Sequence, residues 1–324
     1  MRVLLWHVHG SWTTAFVHGS HDYVVPVLPD RGPDGRGRAQ TYVWPDGVTE
    51  VTPEELTDLD VDVVVLQRPR ELEHLAERWL GRRPGRDLPA IYVEHNAPQG
   101  VVNDMRHPVS AHGGVLVVHV THFNDLFWDC GGAPTTVIEH GIVDPGHRYT
   151  GELARVGVVV NEPGRRARVT GTDLLERFAQ TGPIDLFGMG AAGAGAAVNA
   201  VEDLPQARLH AELARRRVYL HPIRWTSLGL SLLEAMQLGM PVVALATTEV
   251  AEAVVPGAGV VSTNVDVLVE ALRGYLEDPA RAAGDGATAR AAARERYGLE
   301  RFLADWDRTL ADVAAGAARR AVTA

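Results

Sequence analysis

The chain has 324 residues, long enough for two domains that each bury a core of their own. Its 46% apolar and 22% charged residues are those of an ordinary globular protein, and a formal charge of −10 argues against nucleic-acid binding through the overall field. A single cysteine, Cys130, excludes an internal disulfide and a thiolate metal cluster, and all 31 fixed cations are arginines, so any cation that grips an anion here is an arginine or a histidine.

The first apolar run, Val3–Trp6, reads as a buried strand. It is too short for a signal peptide, and no run approaches the roughly 18 apolar residues of a membrane span. The expectation is a cytoplasmic protein, with room for peripheral contact with a membrane. His7 and His9 follow; alternating residues on a strand face opposite sides, so no shared metal is expected. The Pro/Gly/Arg-rich tract from Pro26 to Asp46 reads as an excursion or mobile loop. Further strands are expected at Val61–Leu66, Ala90–Val93, Val115–His119 and Thr136–Ile138, with a helix at Glu71–Leu80. His140–Gly151 has no periodicity and marks a boundary. Beyond it lie strands at Val156–Val160, Ile184–Phe187, Val218–Leu220, Pro241–Ala244 and Gly259–Val261. Helical patterns cover Asp173–Gln180, Ser231–Leu238 and Val265–Leu276. In Leu299–Val313, Phe302, Trp306, Leu310 and Val313 recur at helical spacing. Strands alternating with helices, in two groups of about five, predict two doubly wound α/β sheets.

The window from Leu220 to Ala246, LHPIRWTSLGLSLLEAMQLGMPVVALA, carries the most chemistry. A strand ends at His221-Pro222, a turn containing Gly229 follows, and a helix opens near Leu230-Ser231. Backbone N–H groups of Ser227, Leu228, Gly229 and Leu230 at such a turn and helix end form a cradle for an anion such as a diphosphate. Glu234 is expected in the first helical turn, where the dipole favours a carboxylate; there it accepts from two vicinal ribose hydroxyls or serves only as a helix-end charge.

This window resembles the donor-site signature of family 4 retaining glycosyltransferases, EGFGLxxLEAMxxGxPVVA. Gly229-Leu230, Leu233-Glu234-Ala235-Met236, Gly239 and Pro241-Val242-Val243-Ala244 match it. The signature's first glutamate falls on Thr226 and the next glycine on Ser227. Thr136–Asp144 is similar to the family's viPNGvD crossover, with His140 for asparagine. Gly164-Arg165 and Thr170–Leu175 resemble GRLxxxKGxDLL, with Thr170 at the lysine and Arg166 or Arg168 as substitute cations. Glu252 resembles the glutamate of GGxPEvv, whose glycines have become Thr248 and Glu249. Ile91–Asn96 looks like the strand end that carries a histidine near the transferred sugar, here His95. Gly10 and Ser11 fit the tight turn that faces the diphosphate.

The resemblance implies a GT-B fold: two Rossmann-like doubly wound domains facing across a cleft, with a C-terminal helix crossing back to the first domain. The implied divisions are an acceptor-side domain at residues 1–145, a nucleotide-sugar domain at 146–300, and the crossing helix and tail at 301–324. It further implies a hexosyltransferase-like retaining transfer from a nucleotide sugar to an acceptor hydroxyl, with no metal and no further cofactor. His95 and Arg165 are the implied catalytic residues; Gly10, Ser11, Arg165, Arg168, Thr226, Ser227, Leu228, Gly229, Leu230 and Glu234 are the implied donor contacts. The alternatives are a degenerate GT-B protein that binds a nucleotide or partner without turnover, motivated by Thr226 and Thr170, and a sugar-nucleotide epimerase.

Overall fold

The computed structural model describes residues 1–323, with side-chain surroundings through residue 316. Contacts divide it into two compact units: residues 1–141 together with the segment that starts at Leu299, and Ile142–Gly298.

The first unit holds seven parallel strands in the order β3-β2-β1-β4-β5-β6-β7. They are β1 (Arg2–Leu5), β2 (Asp22–Pro26), β3 (Val48–Val51), β4 (Val63–Leu66), β5 (Ala90–Glu94), β6 (Val115–His119) and β7 (Thr135–Val137). Helices α1 (Gly10–Phe16), α2 (Pro53–Leu56), α3 (Ala76–Leu80) and α4 (His122–Phe127) lie between them, and α12 (Leu299–Thr323) completes the unit. Continuous apolar runs such as Val63–Leu66 are buried throughout, as parallel strands covered on both faces require. Strands β2 and β3 lie outside the expected set. The Pro/Gly/Arg tract that follows β2 masks it, and β3 is a four-residue edge. That tract is a packed excursion rather than a mobile loop: Val27 bridges Arg36, and buried Trp44 donates its Nε1 hydrogen to Thr14 Oγ1 at 2.8 Å. The expected helix 71–80 comes in two pieces, a π turn at Glu71–Leu75 and then α3. Glu71, fully buried, reaches back to accept from the backbone of Gln67 and Arg68. On α12, Phe302, Trp306 and Leu310 are buried, and the Trp306 ring meets Trp12 and Phe16 at 5.7 and 4.9 Å.

The second unit holds six parallel strands in the order β10-β9-β8-β11-β12-β13. They are β8 (Leu153–Val159), β9 (Ile184–Phe187), β10 (Asn199–Val201), β11 (Arg216–His221), β12 (Val242–Leu245) and β13 (Gly259–Ser262). Its helices are α5 (Pro163–Thr170), α6 (Leu175–Phe178), α7 (Gln206–Leu213), α8 (Leu230–Leu238), α9 (Val250–Ala253), α10 (Val265–Glu277) and α11 (Pro279–Arg296). Helix α11 escaped the sequence reading because its buried positions, Ala282, Gly286, Ala289 and Ala293, are small and give no apolar stripe. They pack where bulk cannot go: a methyl on Gly286 would lie 2.1 Å from the Gly239 carbonyl oxygen.

In both units the strand order reverses beside the first strand, between β1 and β4 and between β8 and β11. Doubly wound sheets bind ligands outside the carboxyl ends of strands at such a switch point. Among the described residues no helix is long and apolar enough to cross a membrane.

Candidate functional site

In the second unit the carboxyl ends of β8 and β11 run into the segments that carry most of the candidate residues. After β8 the backbone turns left-handed at Glu162 (φ 54) and enters α5, which is kinked at Ala167 (φ 21, ψ −93). Both conformations are strained for residues with a Cβ. Arg165 is exposed and ion-paired with Glu162. Arg168 is also exposed, 3.9 Å from Asp173. Arg166 is half-buried; burial and the neighbouring charge of Arg165 lower its pKa, a balance that a bound anion would reverse. Thr170 is fully buried, and its hydroxyl is spent on Ala167 O and Thr172 Oγ1. No charge reaches the site from that position.

The loop after β11 is stitched to the end of α5. The backbone N–H of Arg224 donates to Val169 O at 2.9 Å, and its guanidinium donates to Arg168 O at 2.8 Å and grips Asp173. Gly171, at φ 72, sits so close to the loop that a Cβ there would be 1.8 Å from Pro222 O. Thr226 follows, half-buried, then buried Ser227 and Leu228, and Gly229 as the N-cap of α8. Gly229 has an ordinary φ of −72; it is small because the His221 ring lies 2.5 Å from where its Cβ would be. Burial lowers the His221 pKa to about 4, so this ring is a neutral packing element. No side chain caps α8, which the loop enters after β11.

Glu234 is the fifth residue of α8, in its second turn rather than its first. The helix dipole is therefore not what holds it. Its buried carboxylate is held from α7: Gln206 Nε2 donates to Oε1 at 3.2 Å, and His210 Nε2 lies 3.3 Å from Oε2. Neither α7 residue was among the sequence candidates. Their spacing of four on a short helix, which puts them on one face, was the available signal. Glu252 is exposed, whereas its neighbour Glu249 is buried beside Arg296. Thr248 adopts φ 50, keeping the backbone of a glycine that the sequence lacks.

In the first unit, Gly10 and Ser11 open α1 after the carboxyl end of β1, with the Tyr42 ring where a Gly10 side chain would go. His95 follows β5. His7 and His9 lie beyond β1 rather than on it, in separate surroundings: His7 Nδ1 meets Gly37 O at 3.1 Å, whereas His9 lies 4.0 Å from the His95 ring. Trp12 and His140 also flank His95, at 5.0 and 6.4 Å. Burial holds His95 far below its ordinary pKa and lowers His9 to about 4 and His140 to about 3, so all three rings are neutral at pH 7. Gln67 sets the His95 tautomer. Its amide nitrogen is committed to Trp6 O at 2.7 Å, leaving Oε1 to accept from His95 Nε2–H at 3.0 Å. The other ring nitrogen, Nδ1, is then an acceptor. Gln67 was not singled out from the sequence, although it is the first polar residue after β4.

Residues 189–295, which span α7, β11 and α8, match the family model described as Glycosyl transferases group 1. No curated protein matches the chain. Among solved structures it is similar to a sucrose-phosphate synthase (tll1590) from Thermosynechococcus elongatus, with 13% identity and a TM-score of 0.73 over 98% of this chain and 100% of that one. It is also similar to Anabaena Alr3699/HepE in complex with UDP and glucose, with 16% identity and a TM-score of 0.66 over 96% and 100%. A glycosyltransferase from Rickettsia africae shares 12% identity, with a TM-score of 0.64 over 96% and 98%. These likenesses establish the fold, the pair of Rossmann-like units of GT-B glycosyltransferases. The chain is a glycosyltransferase, with a group 1 segment at residues 189–295.

Proposed function

We propose that the chain is a retaining transferase of the family 4 type, moving a sugar from a nucleoside-diphosphate donor to an acceptor hydroxyl without a metal ion. What supports this reading is that an arginine-bearing helix follows β8, and that the loop after the neighbouring β11 leads into a helix with no side-chain cap and with buried Glu234 in its second turn. Solved structures of the same fold are described with UDP and with UDP-glucose.

As the bond from the sugar C1 to the diphosphate oxygen breaks, negative charge grows on the leaving group. Arg165 and the amides around Gly229 and Leu230 meet that charge. Exposed as it is, Arg165 gives up Glu162 for a phosphate at little cost. Arg168, or the less exposed Arg166, supplies the second cation in place of Thr170. Glu234 accepts from the pentose diol. The acceptor oxygen bonds to C1 on the face that the diphosphate leaves while its hydroxyl proton passes to the departing diphosphate oxygen, which retains configuration without a covalent intermediate.

Transfer or hydrolysis of labelled nucleotide sugars tests this reading. Arg165→Ala is expected to lower kcat about 100-fold, the range for one preorganised charge-stabilising donor. Glu234→Ala is expected to raise donor KM about 10- to 100-fold. Undiminished rates in both variants would defeat it. One observation favours a second reading, binding without turnover: Thr170 is sealed in the core and cannot carry charge. Calorimetric binding of a nucleotide with no turnover across a donor panel would establish that reading instead.

A further inference from the structure

We propose that Arg36 and Arg68, at the carboxyl ends of β1 and β4 in the first unit, form a site for an oxyanion, and that the acceptor carries this oxyanion as a phosphate or carboxylate. The inference rests on the transfer reading above and adds to it the chemical class of the acceptor.

The Pro/Gly/Arg tract that follows β2 puts Arg36 there. Its backbone is held by the antiparallel bridge to Val27, beside which the Leu28 N–H donates to Gly35 O at 2.8 Å. Gly37, at φ 65, brings its carbonyl oxygen to within 3.1 Å of His7 Nδ1, just beyond β1. On the other side of Arg36, Asp34 reaches the residues that follow β4. Its Oδ1 lies 3.6 Å from Arg68 Nη1 and its Oδ2 lies 2.7 Å from Arg70 Nη2. Arg36 is therefore pinned between two anchors, one at each of two neighbouring strand ends, at the switch point of this sheet.

Both guanidinium groups have hydrogen-bond donors left over. Arg68 donates from Nε to Glu71 at 2.6 Å and turns Nη1 toward Asp34, while its buried Nη2 has no hydrogen-bond partner among the described residues. Arg36 is exposed, and no carboxylate among the described residues pairs with it. Glu71 and Asp34 balance Arg68 and Arg70, which leaves Arg36 as a cation in excess. His9 feels both arginines: burial is the main cause that lowers its pKa to about 4, and Arg36 and Arg68 add to it. An oxyanion would satisfy Arg68 Nη2, offset the excess charge and match the planar fork of Arg36, which suits phosphate and carboxylate alike. In the transfer reading the donor phosphates are met from the second unit, by Arg165 and the amides around Gly229. The cations of the first unit are then left for an anion on the other substrate.

Calorimetric titration at low salt, where exposed charges are least screened, is the test. The probes are glucose 6-phosphate and glucuronate against glucose, with UDP, GDP and ADP as donor fragments, and circular dichroism checks folding. Wild type is expected to bind at least one anionic sugar about 10-fold or more tightly than glucose, and at least one nucleoside diphosphate. Arg36→Gln, at an exposed position, should weaken the anionic sugar about 10-fold and leave the nucleotide unchanged. Asp34→Asn removes a carboxylate that competes for Arg68 and should tighten the anionic sugar about threefold. Arg165→Ala should weaken the nucleotide and spare the sugar. The assignment falls if neither anionic sugar binds more tightly than glucose, if Arg36→Gln leaves its affinity unchanged, or if Asp34→Asn fails to tighten it. It falls too if Arg36→Gln weakens the nucleotide as much as the sugar, since the oxyanion is then the donor's own diphosphate. Each of these results leaves the transfer reading standing. Wild type that binds none of the three nucleotides loses that reading, and the acceptor assignment with it, even where the anionic sugars bind.

Discussion

Asp185, second residue of β9, is buried with Arg155, Arg216 and Asn199 on its carboxylate. Burial by itself would raise its pKa, but the bonds from Arg155, Asn199 and Arg216 outweigh that and hold it at about 2, below the ordinary 3.8. The unfolded chain therefore binds more protons than the folded one between about pH 4 and pH 2. The stability this acid contributes is complete above pH 4 and is lost as pH falls through 2. Asp185→Asn is expected to cost about 3 kcal/mol at pH 7, because it takes from buried Arg216 the more buried of its two carboxylate partners and leaves Glu212 alone to balance it. Urea titrations at pH 7 and pH 2.5 should show the difference from wild type shrinking at the lower pH. A constant difference would mean that the acid is not depressed in the fold. Glu234 shows the contrast between sequence and structure for a single side chain. Its presence and its neighbours on α8 were legible in the LEAM motif, but its partners were not, since Gln206 and His210 come from another helix.

Among elements, the joint between α5 and the loop after β11 is the one on which the donor reading depends. Gly171 is forced twice, by its left-handed φ and by the Pro222 carbonyl beside it. Gly171→Ala is expected to cost about 2–5 kcal/mol, combining left-handed strain with overpacking against backbone that cannot yield. Chemical denaturation measures it; a loss under 1 kcal/mol would show that the loop moves freely away from α5. The elements themselves were partly legible. Strand β6 falls at the expected residues because Val115–Val118 is an unbroken apolar run, and β9 does so on three apolar residues around buried Asp185, whereas β10 is a three-residue edge, two of whose residues are exposed, with no such run. Helix α5 was not expected, since GRRARVT has no apolar stripe, and it forms with a kink at Ala167.

For the whole molecule, the largest departure from chain order is that α12 folds with the first unit, about 280 residues after α1. Trp306 is buried there among Trp12, Phe16 and Phe302. Trp306→Ala is expected to destabilise the protein by about 3–5 kcal/mol through lost burial and the cavity left behind. Thermal melts followed by circular dichroism check this, and an unchanged melting temperature would mean that the helix end contributes nothing to the core.

The sequence by itself determined the alternation of strands and helices, the parallel α/β class and the residues of the donor motif. Each of these follows from local periodicity or from contiguous residues whose spacing sets a turn and a helix end. Tertiary structure alone decided what each charged group touches. It pairs Arg165 with Glu162, closes Thr170 into the core, sets Gln67 behind His95 and brings α7 to Glu234. Those contacts join residues far apart in the chain, or depend on which face of a short helix turns inward, and packing rather than local preference settles both.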